Sequence, residues 1–512
     1  MAVHSAVNRR VLGSSPSRSD FLFPVFHFLF PLFFVTFWME FFEQILAQLS
    51  DYSISPSERD RLTRNLEALK EQYDGDTALK INLIKTGLAR KDMNLTFFAM
   101  NYLFPPDAAA TSDRALADQK KSIALDLLTA LPTSTMHFTS AEYRVVAEKV
   151  VAAAASLAKA EWPARWPELF PQILAGAAEG VVFSPEEVAC GELSAQTRRL
   201  VLGLMLLRSI SEEVRVYYDP KLSERRKAEI VAGLKSQGDP IVKYVISVLR
   251  GNTQHLVTAG SAHRNVFLLC LDTLSAYIDW VPLRTVADCE IPLILTQVQG
   301  VEWLRQKAAD VALLLVNRQI DPNDIGYLQA LWFPLCPPFF ADFAAAAQAS
   351  AQNCAQQDSV MNAQTAAAYN HFVRLTEVFS VAGCKLIDAL NAEATARHTA
   401  VPETMGQYLQ LLVSLFSHPS LEISALAYPP LTNCFKNREK LAGPAAGFFT
   451  DEVVVLLCDV TVGKLNSGCS NAYYSRGDES IERAQLSLIN NFSSFIYKLN
   501  VNNRYYFYFY II

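Results

Sequence analysis

Apolar residues recur at helical spacing from about residue 55 to 499. Leu62, Leu66 and Leu69 share one helical face, as do Ile81, Ile84 and Leu88, then Val146, Val150 and Leu157. Further stripes follow at Phe267, Leu271, Leu274 and Ile278, at Leu409, Leu412 and Phe416, and at Leu488, Phe492 and Phe495. Spacings of three and four put these side chains over one another on a 3.6-residue helix. Each stripe is too narrow for a helix buried all round and too short for a coiled coil. Strand-length alternation of polar and apolar residues is rare along the chain, so the pattern predicts an all-α protein.

The punctuation between stripes is helical as well. Ser55-Pro56-Ser57-Glu58 and Ser184-Pro185-Glu186-Glu187 each predict a helix start. In both, serine caps, proline fits the first turn and glutamate meets the positive end of the dipole. Gly238-Asp239-Pro240 and Asp321-Pro322-Asn323-Asp324 predict breaks between helices. Helices of roughly 12–20 residues joined by such breaks read as stacked hairpins. The weak repetition fits HEAT-type units of about 40–47 residues. Each hairpin hides its apolar face only against its neighbours, so the expected architecture is a HEAT-like helical-repeat solenoid, a superhelical arc with a concave surface. Residues 337–369 are Ala/Gln-rich and read as a long helix, a linker or both, while 463–480 read as an exposed loop.

The ends differ from this body. Residues 21–38 are apolar apart from Pro24, His27, Pro31 and Thr36, with Arg9, Arg10 and Arg18 before them. That run reads either as a membrane anchor or as text preceding the natural start. Two prolines interrupt it, no small-residue cleavage site follows, and Met39 opens an amphipathic stretch, which favours a start at Met39. The aromatic tail at 500–512 has no capping or periodic logic and reads as non-native sequence, on which the chain would be a fragment.

Composition narrows the classes. At 512 residues the chain exceeds one compact core, and 51% hydrophobic against 19% charged excludes general disorder. A net charge of −6 excludes a protein that is basic all over, so any nucleic-acid partner has to meet local clusters. Nine cysteines lie at 190, 270, 289, 336, 354, 384, 434, 458 and 469, with no CxxC pair. They suit buried thiols in a reducing compartment. The sequons at Asn94 and Asn491 stand in helical text and carry no weight.

No phosphate-cradling, dinucleotide-binding, zinc-protease or nucleophile-elbow motif is present, and the eight histidines are far apart. Glu186-Glu187 and Glu212-Glu213 read as helix surface or dipole partners rather than a catalytic pair. Neither a catalytic residue nor a metal site is assigned, and no cofactor or small-molecule substrate is expected. The basic clusters are more informative. Lys80, Lys85, Arg90 and Lys91 lie on or beside one helix, Arg198 and Arg199 open another, and Lys221, Arg225, Arg226 and Lys227 are the densest group. Each is a solvated face if taken alone; together they would serve a polyanion if they lined one wall.

The segment AKAEWPARWPELFPQIL (158–174) carries two Trp-Pro pairs four residues apart, a helix-break-helix junction packed by indoles. Glu161, Trp162, Pro163, Trp166 and Pro167 resemble a signature of exportins in the importin-β superfamily, with Phe170 where an aliphatic residue is usual. LDTLSAYIDWVPL (271–283), with Tyr277 and Trp280, is similar to a second exportin stretch. SHPSLEISALAYPPLTNCFKN (417–437) is similar to a helix start of the exportin-five type, and 61–103 resembles the importin-β N-terminal domain.

The resemblance divides the chain into an extension at 1–38, a Ran-binding-like segment at 39–135, exportin-type repeats at 136–300 and further repeats at 301–499. It implies a non-enzymatic nuclear export receptor that shuttles between nucleus and cytoplasm. The implied partners are Ran in its GTP form, nucleoporins and structured RNA cargo (pre-microRNA hairpins or tRNA), the RNA read by shape and phosphate. On that footing Lys80, Lys85, Arg90 and Lys91 are the candidate Ran contacts. Arg198, Arg199, Lys221, Arg225, Arg226 and Lys227 are the candidate RNA contacts. An import receptor, a static HEAT scaffold and, from residues 21–38, a membrane-anchored helical protein stand as alternatives.

Overall fold

The computed structural model describes residues 54–466, with a few positions between 41 and 49. Left aside are the segments 73–76, 105–113, 134–140, 176–181, 216–221, 357–362, 393–395 and 438–446 and the single residues 91 and 398. The expectations for residues 1–38, for Leu488, Phe492 and Phe495, and for the tail at 500–512 lie outside the described residues. Among the described residues there is no strand. The chain forms two compact units, Met1–Ile230 and Val231–Ile512.

The first unit contains α1 (Pro56–Gln72), α2 (Thr77–Arg90), α3 (Met93–Leu103), α4 (Arg114–Ala130), α5 (Ala141–Glu161), α6 (Leu169–Ala175), α7 (Pro185–Cys190) and α8 (Ala195–Arg215). Helix α9 (Glu224–Gly251) begins in it. Contacts run between near neighbours along the chain: α2 on α3, α3 and α4 on α5, and α5, past the short α6 and α7, on α8. A sheet or a single central core would bring distant segments together; this unit does not. The predicted caps hold. The Glu58 N–H donates to the Ser55 hydroxyl at 3.2 Å, and the Glu187 N–H donates to the Ser184 hydroxyl at 3.1 Å. Each bond satisfies one of the amides a helix start leaves without an internal acceptor, typically about 1 kcal/mol.

The second unit contains α10 (Ser261–Tyr277), α11 (Leu283–Asp288), α12 (Ile291–Gln299), α13 (Arg305–Asn317), α14 (Pro337–Gln356), α15 (Ala363–Asn391), α16 (Met405–Phe416), α17 (Leu421–Lys436) and α18 (Asp451–Asn466). Two 3₁₀ segments, Pro322–Leu331 and Phe333–Leu335, precede α14. Here too packing passes along a row: α10 on α13, α13 on α15, α15 on α17, with α12, α16 and α14 laid beside them. The expected HEAT-like stacking of helix pairs is therefore present in both units. Phe267, Leu271, Leu274 and Ile278 are fully buried, as are Leu409, Leu412 and Phe416.

Three local expectations are corrected. Gly238-Asp239-Pro240 does not break the chain but lies inside α9. Proline removes one ladder bond and crowds the preceding turn, which is why it predicts a break. Tertiary packing overrides it: a Cβ on Gly238 would stand 3.0 Å from Val281 Cγ1 and 3.5 Å from the Trp280 carbonyl, so only glycine lets α9 lie this close to the chain after α10. The Asp239 carboxylate accepts from the Thr285 hydroxyl instead of capping a new helix. On α2 the buried face is Leu79, Leu83 and Ile84, with Ile81 half-exposed. On α5 it is Val146, Val150, Ala154 and Ala158, with Leu157 half-exposed. On α2 the seam is shifted towards Leu79 and Leu83, whereas on α5 the predicted Val146 and Val150 keep their places and Ala154 and Ala158 continue the seam in place of Leu157. Described parts of the Ala/Gln-rich stretch belong to α14 and α15, so the helix reading holds there, and α18 runs into the stretch read as a loop as far as Asn466.

Candidate functional site

The Trp-Pro junction is a packing device with a specific electrostatic solution. Helix α5 ends at Glu161 and α6 resumes at Leu169. Trp162 and Trp166 are buried between them, and the Trp162 ring meets Phe170 edge-on at 4.8 Å between centroids. A helix continuing past Glu161 would satisfy the Lys159 carbonyl with the N–H of residue 163, but Pro163 has none. The Arg226 guanidinium from α9 supplies the donor. It bonds the Lys159 carbonyl at 3.1 Å and also reaches the Trp162 carbonyl.

The second signature stretch repeats this arrangement. The Ile278 carbonyl, one turn past the buried Leu274, would look to residue 282, which is proline. Arg318, just after α13, donates to the Ile278 carbonyl at 3.1 Å and to the Val281 carbonyl. In both places one guanidinium serves carbonyls three residues apart, ahead of or at a proline: Arg226 uses Nη2 for both, and Arg318 divides them between Nη1 and Nη2. At Arg318 the planar fork of arginine suits this division between two nitrogens, which lysine lacks. Tyr277 is fully buried and Trp280 is 8% exposed, so these signature side chains are core.

The predicted basic residues are distributed very unevenly. Lys80 is 8% exposed, with its Nζ 4.2 Å from the Tyr102 ring centroid. Its charge is spent on an aromatic face inside the helix row, which withdraws it from a surface group. Lys85 and Arg90 are exposed, and Lys91 lies outside the described residues. Arg198 is half-buried and donates to the Leu193 carbonyl at 3.0 Å, whereas Arg199 is exposed. Lys221 is outside the described residues. Arg225 is well exposed and pairs with Glu229 at 3.2 Å. Lys227 is mostly covered and pairs with Glu224 at 2.7 Å, and Arg226 is the clasp just described. The densest basic run of the sequence thus has one guanidinium committed to structure and two charges already compensated.

Sequence reasoning missed two features. The first is a set of lysines over the rings of Phe98 and Tyr102 on α3 and of Phe104 just after it. Lys70 lies 5.4 Å from Phe98 and Lys120 lies 5.8 Å from Phe104, beside the Lys80–Tyr102 contact. Burial, then the Lys80 charge, lowers the Lys120 ammonium below the usual lysine range. The aromatic spacing Phe98, Tyr102 is visible in the sequence, but the lysines come from three other helices. The second is an apolar groove of about 610 Å³ between α14 and α16, lined by Phe340, Ala344 and Leu411 with Thr404, Gln407 and Gln410 at its edge.

The acidic pairs serve structure. Glu187 is buried and accepts from the Ser194 N–H at 2.9 Å, while Glu212 and Glu213 pair with Arg208 and Lys159. Hydrogen bonds from its own backbone and from Ser184 hold the Glu186 carboxyl below its ordinary value. Cys270, Cys289 and Cys434 are buried thiols, but Cys190 and Cys336 are exposed. Burial pushes the Cys384 thiol up to about 12, which leaves it a poor nucleophile. No group of three or more His, Cys, Asp or Glu positioned for a metal occurs among the described residues.

What fold and junctions define is a helical-repeat protein whose exportin-type signatures are built as inter-helix joints. Residues 143–312, which contain both joints' proline segments, match the family described as "Exportin 1-like protein". The chain is 22% identical to Exportin-5 of Dictyostelium discoideum over 306 residues, covering 57% of this chain and 24% of that protein. It is 24% identical to Exportin-5 of Homo sapiens over 295 residues, covering 56% of this chain and 21% of that one. Exportin-5 of Mus musculus is 25% identical over 273 residues. The resemblance to the exportin-five type of the importin-β superfamily therefore holds over about half of the chain, and the chain spans less than a quarter of the length of these relatives.

Proposed function

We propose that this chain belongs to the working body of a nuclear export receptor. Such a receptor is non-enzymatic, shuttles through nuclear pores past nucleoporins, and binds Ran in its GTP form together with structured RNA. The observation that carries this reading is the coincidence of the exportin 1-like region with two clasped proline joints in a row of stacked helix pairs. Lys85 and Arg90, exposed on or at the end of α2, are the candidate Ran contacts, with Lys91 beside them in sequence. Arg199 and Arg225 are the exposed candidates for RNA, with Lys221 retained from the same run. The domain division at 135, 300 and 499 remains the proposed functional partition.

Pull-down with Ran locked in the GTP or GDP state tests the reading. Retention of the GTP form alone is expected, and retention of neither form would leave a static scaffold. Reversing Lys85 and Arg90 to glutamate is expected to weaken Ran-GTP capture by roughly tenfold or more, because charge complementarity governs such encounters. An import receptor would lose cargo when Ran-GTP is added, whereas an export receptor gains it.

A further inference from the structure

We infer that Lys120, half-exposed on α4, is an acylation site whose amine takes the acyl group of a thioester such as an acyl-coenzyme A. This is a covalent modification and does not depend on the transport reading above. The surroundings of the side chain are the starting point. One turn away on α4 stand Leu116, Ala117, Ile123 and Ala124, so the helix offers Lys120 no carboxylate within salt-bridge reach. Asp118 is turned to the other side and pairs with Lys121 at 2.6 Å. Lys121 also meets the charge at the end of α5, with Glu161 at 3.8 Å, and donates to the Arg165 carbonyl at 3.2 Å. Lys120 forms no ion pair or hydrogen bond among the described residues. Its ammonium lies 5.8 Å from the Phe104 ring centroid, near the outer limit of a cation–π contact.

Two features then work against the charged form. Partial burial strips water from the ammonium, and the charge that acts on it is another cation, Lys80 reaching across from α2. Both lower the Lys120 ammonium below the usual lysine range, burial the more strongly. An ordinary lysine is only about 0.1% neutral near pH 7.4. Desolvation and a neighbouring cation are the two means by which a lysine amine becomes a nucleophile near neutrality. Lys120 has both and stays accessible. The other lysines over these rings differ: Lys70 is held by Glu67 at 2.7 Å, and Lys80 is 8% exposed. In the reaction the ammonium first gives a proton to water. The Nζ lone pair then attacks the thioester carbonyl carbon, the C–S bond breaks, and the remaining excess proton on nitrogen leaves with the thiolate. The products are a neutral amide and a free thiol, and the like-charge contact between α2 and α4 is gone.

The test uses the full chain and acetyl-coenzyme A, with acetylation at each lysine followed by peptide mass spectrometry across a pH series. Lys85 and Lys436, both exposed, are the internal references. Near neutral pH Lys120 is expected to be acetylated about tenfold faster than either. That lead should shrink as the pH approaches about 10, where the references lose their protons too. Lys80→Gln keeps a polar stem and removes the cation, and should cut the Lys120 rate near neutral pH by about threefold. The rate ratios in the unaltered chain need no variant, so they decide the matter even if Lys80→Gln fails to fold. A Lys120 rate no higher than the references near neutral pH would overturn the site. A lead undiminished at high pH would overturn it as well, because the preference would then lie in docking of the coenzyme rather than in the amine. So would an unchanged Lys120 rate in a Lys80→Gln chain whose circular dichroism matches the parent.

Discussion

Replacing Arg318 by methionine is expected to destabilise the second unit locally by about 3 kcal/mol, with lysine at the same position recovering only part of the loss. The guanidinium bridges the carbonyls of Ile278 and Val281, and the Arg318 carbonyl itself accepts from Lys385 Nζ at 3.2 Å. One residue therefore ties the end of α10, its own segment and α15. Methionine keeps the apolar stem and removes both donors, which leaves two orphaned carbonyls at about 1–3 kcal/mol for each that is buried. It also removes the cation that faces Asp279, Asp321 and Asp324. Asp324 is 5% exposed and holds the Leu283 N–H at 2.8 Å, so its charge would lose its nearest compensation. Lysine restores the charge but cannot fork across two carbonyls. Urea unfolding followed by circular dichroism gives the overall effect. Because stacked repeats need not unfold in one step, amide exchange across 274–285 is the sharper measurement. Unchanged exchange there in Arg318→Met would show that the clasp carries no stability. The same substitution at Arg226 is the counterpart in the first unit.

The helix row and its caps were legible in the sequence because both are local. The stripe Leu62, Leu66, Leu69 and the Ser55 and Ser184 caps depend on residues within one turn of each other, and the structure keeps them. What failed was decided between helices. Gly238-Asp239-Pro240 carries every local mark of a break, yet the approach of Trp280 and Val281 determines the outcome from some 40 residues away. Lys80 reads as surface because nothing beside it reveals that Tyr102 lies under its ammonium group. The basic run at 221–227 was legible as charge and illegible as chemistry. Arg226 reaches back 64 and 67 residues to its carbonyls, a separation with no periodic signature. One clue was present: a proline four residues past a helical carbonyl announces an unsatisfied acceptor, and Pro163 and Pro282 both stand in that relation. The candidate partner surfaces were the least legible part, since exposure follows from packing.

Gly383→Ala is expected to be among the most damaging single-methyl changes in the chain, at about 3–5 kcal/mol. Glycine 383 lies on α15 against the side chain of Tyr408 on α16; an added Cβ would overlap the tyrosine hydroxyl and stand 2.6 Å from its Cζ. On a flexible surface the ring would swing aside. Here Tyr408 is 1% exposed, and its hydroxyl donates to the Phe379 carbonyl at 3.1 Å, one turn before Gly383 on the same helix. Burial also holds the phenol far above its ordinary value, so ionisation offers no escape. The alanine variant must either move α16 away from α15 or expel the hydroxyl from the Phe379 carbonyl. Each route is costly in a close-packed interior. Since α15 also packs on α13, α14 and α17, loosening it spreads to those neighbours. Tyr408→Leu supplies the control. It is destabilising by itself, through lost volume, but adding Gly383→Ala to it should cost far less than adding Gly383→Ala to the parent. The two positions are therefore coupled rather than additive. Strict additivity in a double-mutant cycle, measured by urea midpoint and by exchange of the α15 amides, would mean that the glycine is not there to admit the tyrosine.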